Sequence, residues 1–155
     1  MRKQFWKTIS ELAKKDKSII VLVGDLGYSF MEPFAKKYPK QFINCGIIEQ
    51  SMVDIASGLA MAGKKPYVYS ATPFLLFRAF EQVRDDIAYN NTNVKLIGTG
   101  ASQFLGFTHN IVEDEDLTVL SKLPNIKTFA PYSPEELDEL LKEVNNINGP
   151  VYVRI

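Results

Sequence analysis

Apolar positions cluster along the chain in two distinct periods. Short runs rich in β-branched residues recur at 19–23, 42–44, 67–69, 94–98, 126–129 and 151–155. They are strand-sized, and they predict six strands. Most are separated by a segment of helical character. Phe5, Ile9, Leu12 and Ala13 share one face of a first helix that should end at Lys14-Lys15-Asp16. A second helix is suggested around 31–37. A third, over 49–62, carries Met52, Ile55, Ala56, Leu59 and Ala60 on one side and stops at Gly63. A fourth begins near Pro73 and runs to about Tyr89, where Asn90-Asn91 can end it. The last two cover 115–123, before Pro124, and 133–145, where Ser133 can cap, Pro134 fits the first turn and Glu136 sits three residues after the cap. This alternation specifies an α/β domain with a mostly parallel sheet of about six strands and helices on both faces.

In such a sheet the strands are buried on both sides, so ligand groups fall in the loops at their carboxyl ends. Those loops hold Gly24-Asp25-Leu26-Gly27, Cys45-Gly46-Ile47-Ile48-Glu49-Gln50, Ser70-Ala71-Thr72-Pro73-Phe74 and the segment from Gly98 to Asn110.

Composition narrows the class. The chain has 155 residues, 46% of them hydrophobic, which is enough for one domain core. Lys+Arg and Asp+Glu both total 18. No net field attracts nucleic acid or an anionic membrane, and neither is expected as a partner. The N-terminus lacks a continuous apolar core and a small-residue cleavage site, so a cytoplasmic protein is expected. Cys45 is the single cysteine and His109 the single histidine. An internal disulfide framework is excluded, and no ligand spacing suggests a metal site.

Three features can carry chemistry. Glu49 opens a helix beside an apolar region; it is either a dipole-stabilised, partly desolvated acid or a first-turn residue satisfying free backbone N–H groups. Phe74, Phe77 and Phe80, at three-residue steps, form a stripe that either packs in the core or walls a flat ligand, while Arg78, Glu81, Arg84, Asp85 and Asp86 charge the other side. His109 can titrate near neutrality or serve as an ordinary hydrogen-bonding residue, and the acidic run from Glu113 to Asp116 can cap the helix that follows.

The ordered set Phe42-Ile43-Asn44-Cys45-Gly46-Ile47-Ile48-Glu49-Gln50-Ser51-Met52, Gly58-Leu59-Ala60-Met61-Ala62-Gly63 and Thr72-Pro73-Phe74 through Arg84 resembles the pyrimidine-binding domain of transketolases and of 1-deoxyxylulose-5-phosphate synthases. Thr108-His109, Glu113-Asp114 and Leu123-Pro124-Asn125 continue the pattern. The resemblance implies the three-layer thiamine diphosphate-binding fold. It implies that Glu49 hydrogen-bonds the ring nitrogen of the cofactor's aminopyrimidine and favours the imino tautomer, which deprotonates the thiazolium carbon. Ile48, Phe74, Phe77 and Phe80 would hold the pyrimidine, His109 would meet the substrate at the reacting carbon, and Asp25 and Ser29 would line the substrate channel.

Two departures shape the expectation. The chain contains no Gly-Asp-Gly, the family's mark of the domain that binds the diphosphate and its divalent metal, magnesium or calcium. A single pyrimidine domain over 1–155 is therefore expected, with the diphosphate domain and the family's C-terminal domain absent. Gln103-Phe104-Leu105-Gly106-Phe107 also replaces an acidic loop typical of transketolases. The resemblance then implies one subunit of a split transferase that moves a two-carbon ketol unit between sugar phosphates. Its partners would be a separate diphosphate-binding subunit and a second pyrimidine domain, in a heterotetramer. Phe30, Phe34 and Phe77 are candidates for the association surface. A β-type subunit of a 2-oxo acid dehydrogenase or decarboxylase, and a non-catalytic assembly module, remain the alternatives.

Overall fold

In the computed structural model, which describes residues 1–100 and 109–155, six strands form one parallel sheet. They are β1 (Ile19–Val23), β2 (Phe42–Asn44), β3 (Lys65–Ala71), β4 (Lys95–Thr99), β5 (Lys127–Phe129) and β6 (Val151–Arg154), in the order β2-β1-β3-β4-β6-β5. The register sets Val21 beside Tyr67 and Tyr69 beside Ile97.

Alternate strand residues feed two separate cores, as the two-residue period of a strand requires. Ile19, Val21, Tyr67, Tyr69, Ile97 and Val153 point to one face. There they meet Phe5 and Ile9 of α1 (Arg2–Lys15), Phe34 of α2 (Met31–Lys37) and Leu137 and Leu141 of α6 (Pro134–Val144). Ile20, Leu22, Val68, Leu96 and Tyr152 point to the other. That face is covered by α3 (Glu49–Met61), by an irregular helix from Pro73 to Tyr89, and by α5 (Glu115–Leu120). The result is the three-layer α/β sandwich expected from the hydrophobic pattern. None of the helices among the described residues is long and apolar enough to cross a membrane.

Local signals place the helix ends. The Ser133 side chain accepts the Glu136 backbone N–H at 3.1 Å with Pro134 in the first turn, so α6 starts on the predicted cap. Three expectations are corrected. The fourth helix is not a continuous α-helix: Pro73–Arg78 and Val83–Tyr89 have the wide π turn, and only Phe80–Gln82 (α4) is α-helical. Helix α5 ends at Leu120, three residues before its expected end. Phe34 is only 2% exposed, closing the core against Trp6 and Tyr38, so it is not a surface for association; Phe30 is half-buried over the same core.

At the amino edge of the sheet, two polar anchors hold the layers. The Lys95 side chain is fully buried, and its Nζ donates to Asn93 Oδ1, Ile147 O and Gly149 O at 2.7–2.8 Å. Burial, followed by repulsion from Lys65 and Lys127, brings its ammonium down to about 8. Asp16, just after α1, accepts the Ser18 backbone N–H at 2.9 Å and the Lys65 ammonium at 2.9 Å. Burial pushes the Asp16 carboxyl up, but hydrogen bonds from Ser18 and Lys65 outweigh it and hold it at about 2, below its ordinary 3.8. A depressed carboxyl contributes stability above its unfolded value and loses it as pH falls through the folded one. Thermal melts from pH 5 to pH 2 should therefore show Asp16→Asn with a shallower acid-side fall than the parent between about pH 4 and pH 2.

Candidate functional site

The chain runs from β1 outward to β2 and then crosses back to β3, so the sheet's order reverses between β1 and β3. Crevices at the carboxyl ends of strands open at such reversals. Glu49, Ser70, Gly24 and Thr72 all lie at that edge. Glu49 is the first residue of α3, and its carboxylate is 2% exposed. It does not serve as a helix cap. Oε1 accepts from Ser70 Oγ of β3 at 3.3 Å, and Oε2 accepts from Arg78 Nη1 at 3.2 Å. Gly24, just after β1, allows this approach: a Cβ there would lie 3.3 Å from Glu49 Oε1 and 3.5 Å from Ser70 Oγ. The inner oxygen is thus fixed on the sheet, while the outer one faces a guanidinium that is 41% exposed.

From Arg78 the contacts pass outward through an aromatic pair. The guanidinium carbon stands 4.3 Å from the Phe74 ring centroid, and Phe74 meets the His109 ring edge-on at 5.2 Å. Glu49, Arg78, Phe74 and His109 are therefore one contiguous group, drawn from two helices and the segment before α5. The core-packing alternative for the phenylalanines fails, because Leu75, Leu76, Ala79 and Val83 fill the core from this helix. Phe74 and Phe80 are half-buried and Phe77 is 39% exposed. Pro73–Arg78 has the π turn, so the three-residue steps of these phenylalanines do not carry the α-helical relation that the stripe assumed.

The other candidates sit around this group. Ile48, at the start of α3, is exposed. Asp25 and Ser29 belong to the loop after β1, both with positive φ. Asp25 Oδ1 accepts from Tyr28 Oη at 2.5 Å and from Asn44 Nδ2 at 3.0 Å, which holds its carboxyl below the ordinary range. The Ser29 N–H donates to Glu32. Cys45 is half-buried, and burial pushes its thiol up, away from a reactive thiolate. Thr108 and the Gln103–Phe107 replacement lie outside the described residues.

The acidic run before α5 behaves differently from its expected capping role. Asp114 occupies the cap position without a side-chain capping bond. It instead pairs with Arg154 of β6 at 2.6 Å, and the fully buried Asp116 accepts from Arg154 at 3.0 Å and from Tyr152 Oη at 2.7 Å. Sequence reasoning placed Ser70 in a carboxyl-end loop and Asp116 in the acidic run but missed the contacts of Ser70 and Arg78 with Glu49 and of Asp116 with Tyr152. The sequence gives no local signal for contacts between elements this far apart.

A buried carboxylate anchored on one oxygen, with a half-buried aromatic ring reached through the arginine on its other side, fits a flat nitrogen heterocycle that offers polar atoms at one edge. Among the described residues no group of three or more His, Cys, Asp or Glu side chains is placed to hold a metal ion.

Comparison with known proteins identifies the family. The family model for the transketolase pyrimidine-binding domain matches residues 1–155. An apulose-4-phosphate transketolase subunit of Actinobacillus succinogenes is 46% identical over 126 residues, covering 79% of this chain and 40% of that protein. The subunit of the same name from Phocaeicola vulgatus is 39% identical over 99% of this chain and 50% of its own length. Among solved structures, a split gene transketolase, described as an inactive beta4 tetramer, superposes with a TM-score of 0.89 at 36% identity, over 99% of this chain and half of that one. The chain spans about half the length of these relatives.

Proposed function

Because the chain belongs to the transketolase pyrimidine-binding family, we propose that it supplies the pyrimidine half of a split transketolase that transfers two-carbon ketol units between sugar phosphates. The observation that carries the proposal is the Glu49 carboxylate, buried at the carboxyl edge of the sheet and held by Ser70 on one oxygen only from within the core. Thiamine diphosphate, when bound, supplies the electron sink for cleaving the bond beside a ketose carbonyl. Glu49 would share a proton with the aminopyrimidine ring nitrogen through Oε2, with the 41% exposed Arg78 turning aside, while Ser70 keeps Oε1 in place. Phe74, with Phe77, Phe80 and Ile48, walls the ring and excludes water, strengthening that hydrogen bond. His109, in edge contact with Phe74, donates to the substrate oxygen near the reacting carbon. Asp25 and Ser29 border the channel through which the sugar phosphate enters.

A second chain or domain completes the site by binding the diphosphate and its divalent metal. The relatives named as transketolase subunits, and the solved split transketolase described as a tetramer, support a separate partner subunit and an oligomeric assembly. Calorimetric titration of thiamine diphosphate with magnesium should give no binding to this chain alone and saturable binding once a diphosphate-binding subunit is added. The mixture should then transfer ketol units from ketose phosphates without releasing CO2. Saturable binding to the chain alone would sink the division of the cofactor between two chains; CO2 release from 2-oxo acids would move the chain to the oxo acid enzymes.

A further inference from the structure

Behind the Phe74–His109 pair lies a buried polar relay that joins its two sources. Phe74 follows Thr72, which ends the crossing from β3 into the irregular helix; His109 precedes α5 on a stretch where His109, Glu113 and Asp114 all have positive φ. Side chains rarely adopt that conformation unaided, so the stretch needs an anchor. Asp116 provides one: it is fully buried, accepts from Tyr152 Oη at 2.7 Å and from Arg154 Nη1 at 3.0 Å, and Arg154 in turn reaches back to Asp114 at 2.6 Å. On the other side, Tyr152 Oη lies 3.4 Å from Thr72 Oγ1. Burial, then the Asp116 charge, push the Tyr152 phenol well above its ordinary value, so it remains a hydrogen-bond donor.

We propose that Asp116 is a positioning residue that, through Tyr152 and Arg154, fixes the Phe74 side and the His109 side of the site against each other. Its value to catalysis rests on the reading of Phe74 and His109 given above; the geometry it sets does not. Each hydrogen bond in the relay ends on a different element: α5, β6, or the turn after β3. A shift of any one is therefore felt at the ring contact.

His109 is the single histidine, so selective 13C labelling at Cε1 gives one resonance, placed in the ring current of Phe74. Phe74→Leu defines where that resonance moves when the ring is lost. Asp116→Asn and Tyr152→Phe should each move it toward the Phe74→Leu position in the folded chain. Tyr67→Phe, which removes a buried hydroxyl bonded to Asn145 from the opposite core, should leave it in place. If Asp116→Asn does not fold, Tyr152→Phe decides alone. A resonance unmoved in the relay variants, or moved equally by Tyr67→Phe, overturns the proposal. The functional reading fails separately, if Phe74→Leu leaves thiamine diphosphate binding by the reconstituted enzyme unchanged.

Discussion

Glu49→Gln should reduce ketol transfer by the reconstituted enzyme by roughly 10²–10⁴-fold, the range a positioned acid–base group supplies. The argument is local. Glutamine keeps the shape of the side chain and can still accept from Ser70 Oγ, so the sheet edge and α3 stay as they are. What it loses is the ability to share a proton on the second oxygen, the one turned toward Arg78. Arg78 is 41% exposed, so its guanidinium can turn to solvent when the carboxylate is gone, and the variant should melt close to the parent. Turnover, melting temperature and cofactor titration measured side by side check this. An unchanged turnover would leave the chain as an assembly module of the same fold.

Gly98→Ala carries the second large effect, on stability. Gly98 lies in β4, at the centre of the sheet, and a Cβ there would stand 2.6 Å from both Thr72 Oγ1 and Tyr152 Oη and 2.7 Å from a ring carbon of Tyr152. None of the three is the end of a flexible chain: Tyr152 is fully buried and hydrogen-bonded to Asp116, and Thr72 opens the irregular helix. Overpacking of this kind costs about 3 kcal/mol at its upper end. For a chain of this size that lowers the melting temperature by roughly 6–12 °C. Circular dichroism melts of the variant check it, and a fall of a degree or less would mean that the turn after β3 yields easily.

The pattern of strands and helices was legible because it depends on local periods. β1, β2 and α2 fall where the apolar spacing puts them, and Ser133 announces the start of α6. Glu49 was legible in the same way, as an acid at the start of an apolar helix, although spacing alone could not separate a cap from an acid with a task. Phe34 shows the limit: its spacing places it on a helix face but cannot say which side that face meets. The π turns replaced the expected α geometry at Phe74 and Phe77, where packing of Leu75, Leu76 and Ala79 into the core overrides the simple period. Contacts between distant segments left no local trace. Glu49 and Arg78 are 29 residues apart, Asp116 and Tyr152 are 36 apart, and Thr72 and Tyr152 are 80 apart.

Lys95 ties the amino end of β4 to a segment far along the chain. An ammonium leaves water only when its acceptors are in place, and two of these, the carbonyls of Ile147 and Gly149, are 52 and 54 residues further along the chain. The burial of Lys95 is thus a long-range contact at the start of the β4–β6 register, of the kind whose loop-closure entropy slows folding. Parting β4 from β6 at that end breaks the Nζ bonds to both carbonyls, although the freed ammonium regains water. That seam lies at the end of the sheet opposite Glu49, so the groups that hold it shut are separate from those that would meet a ligand.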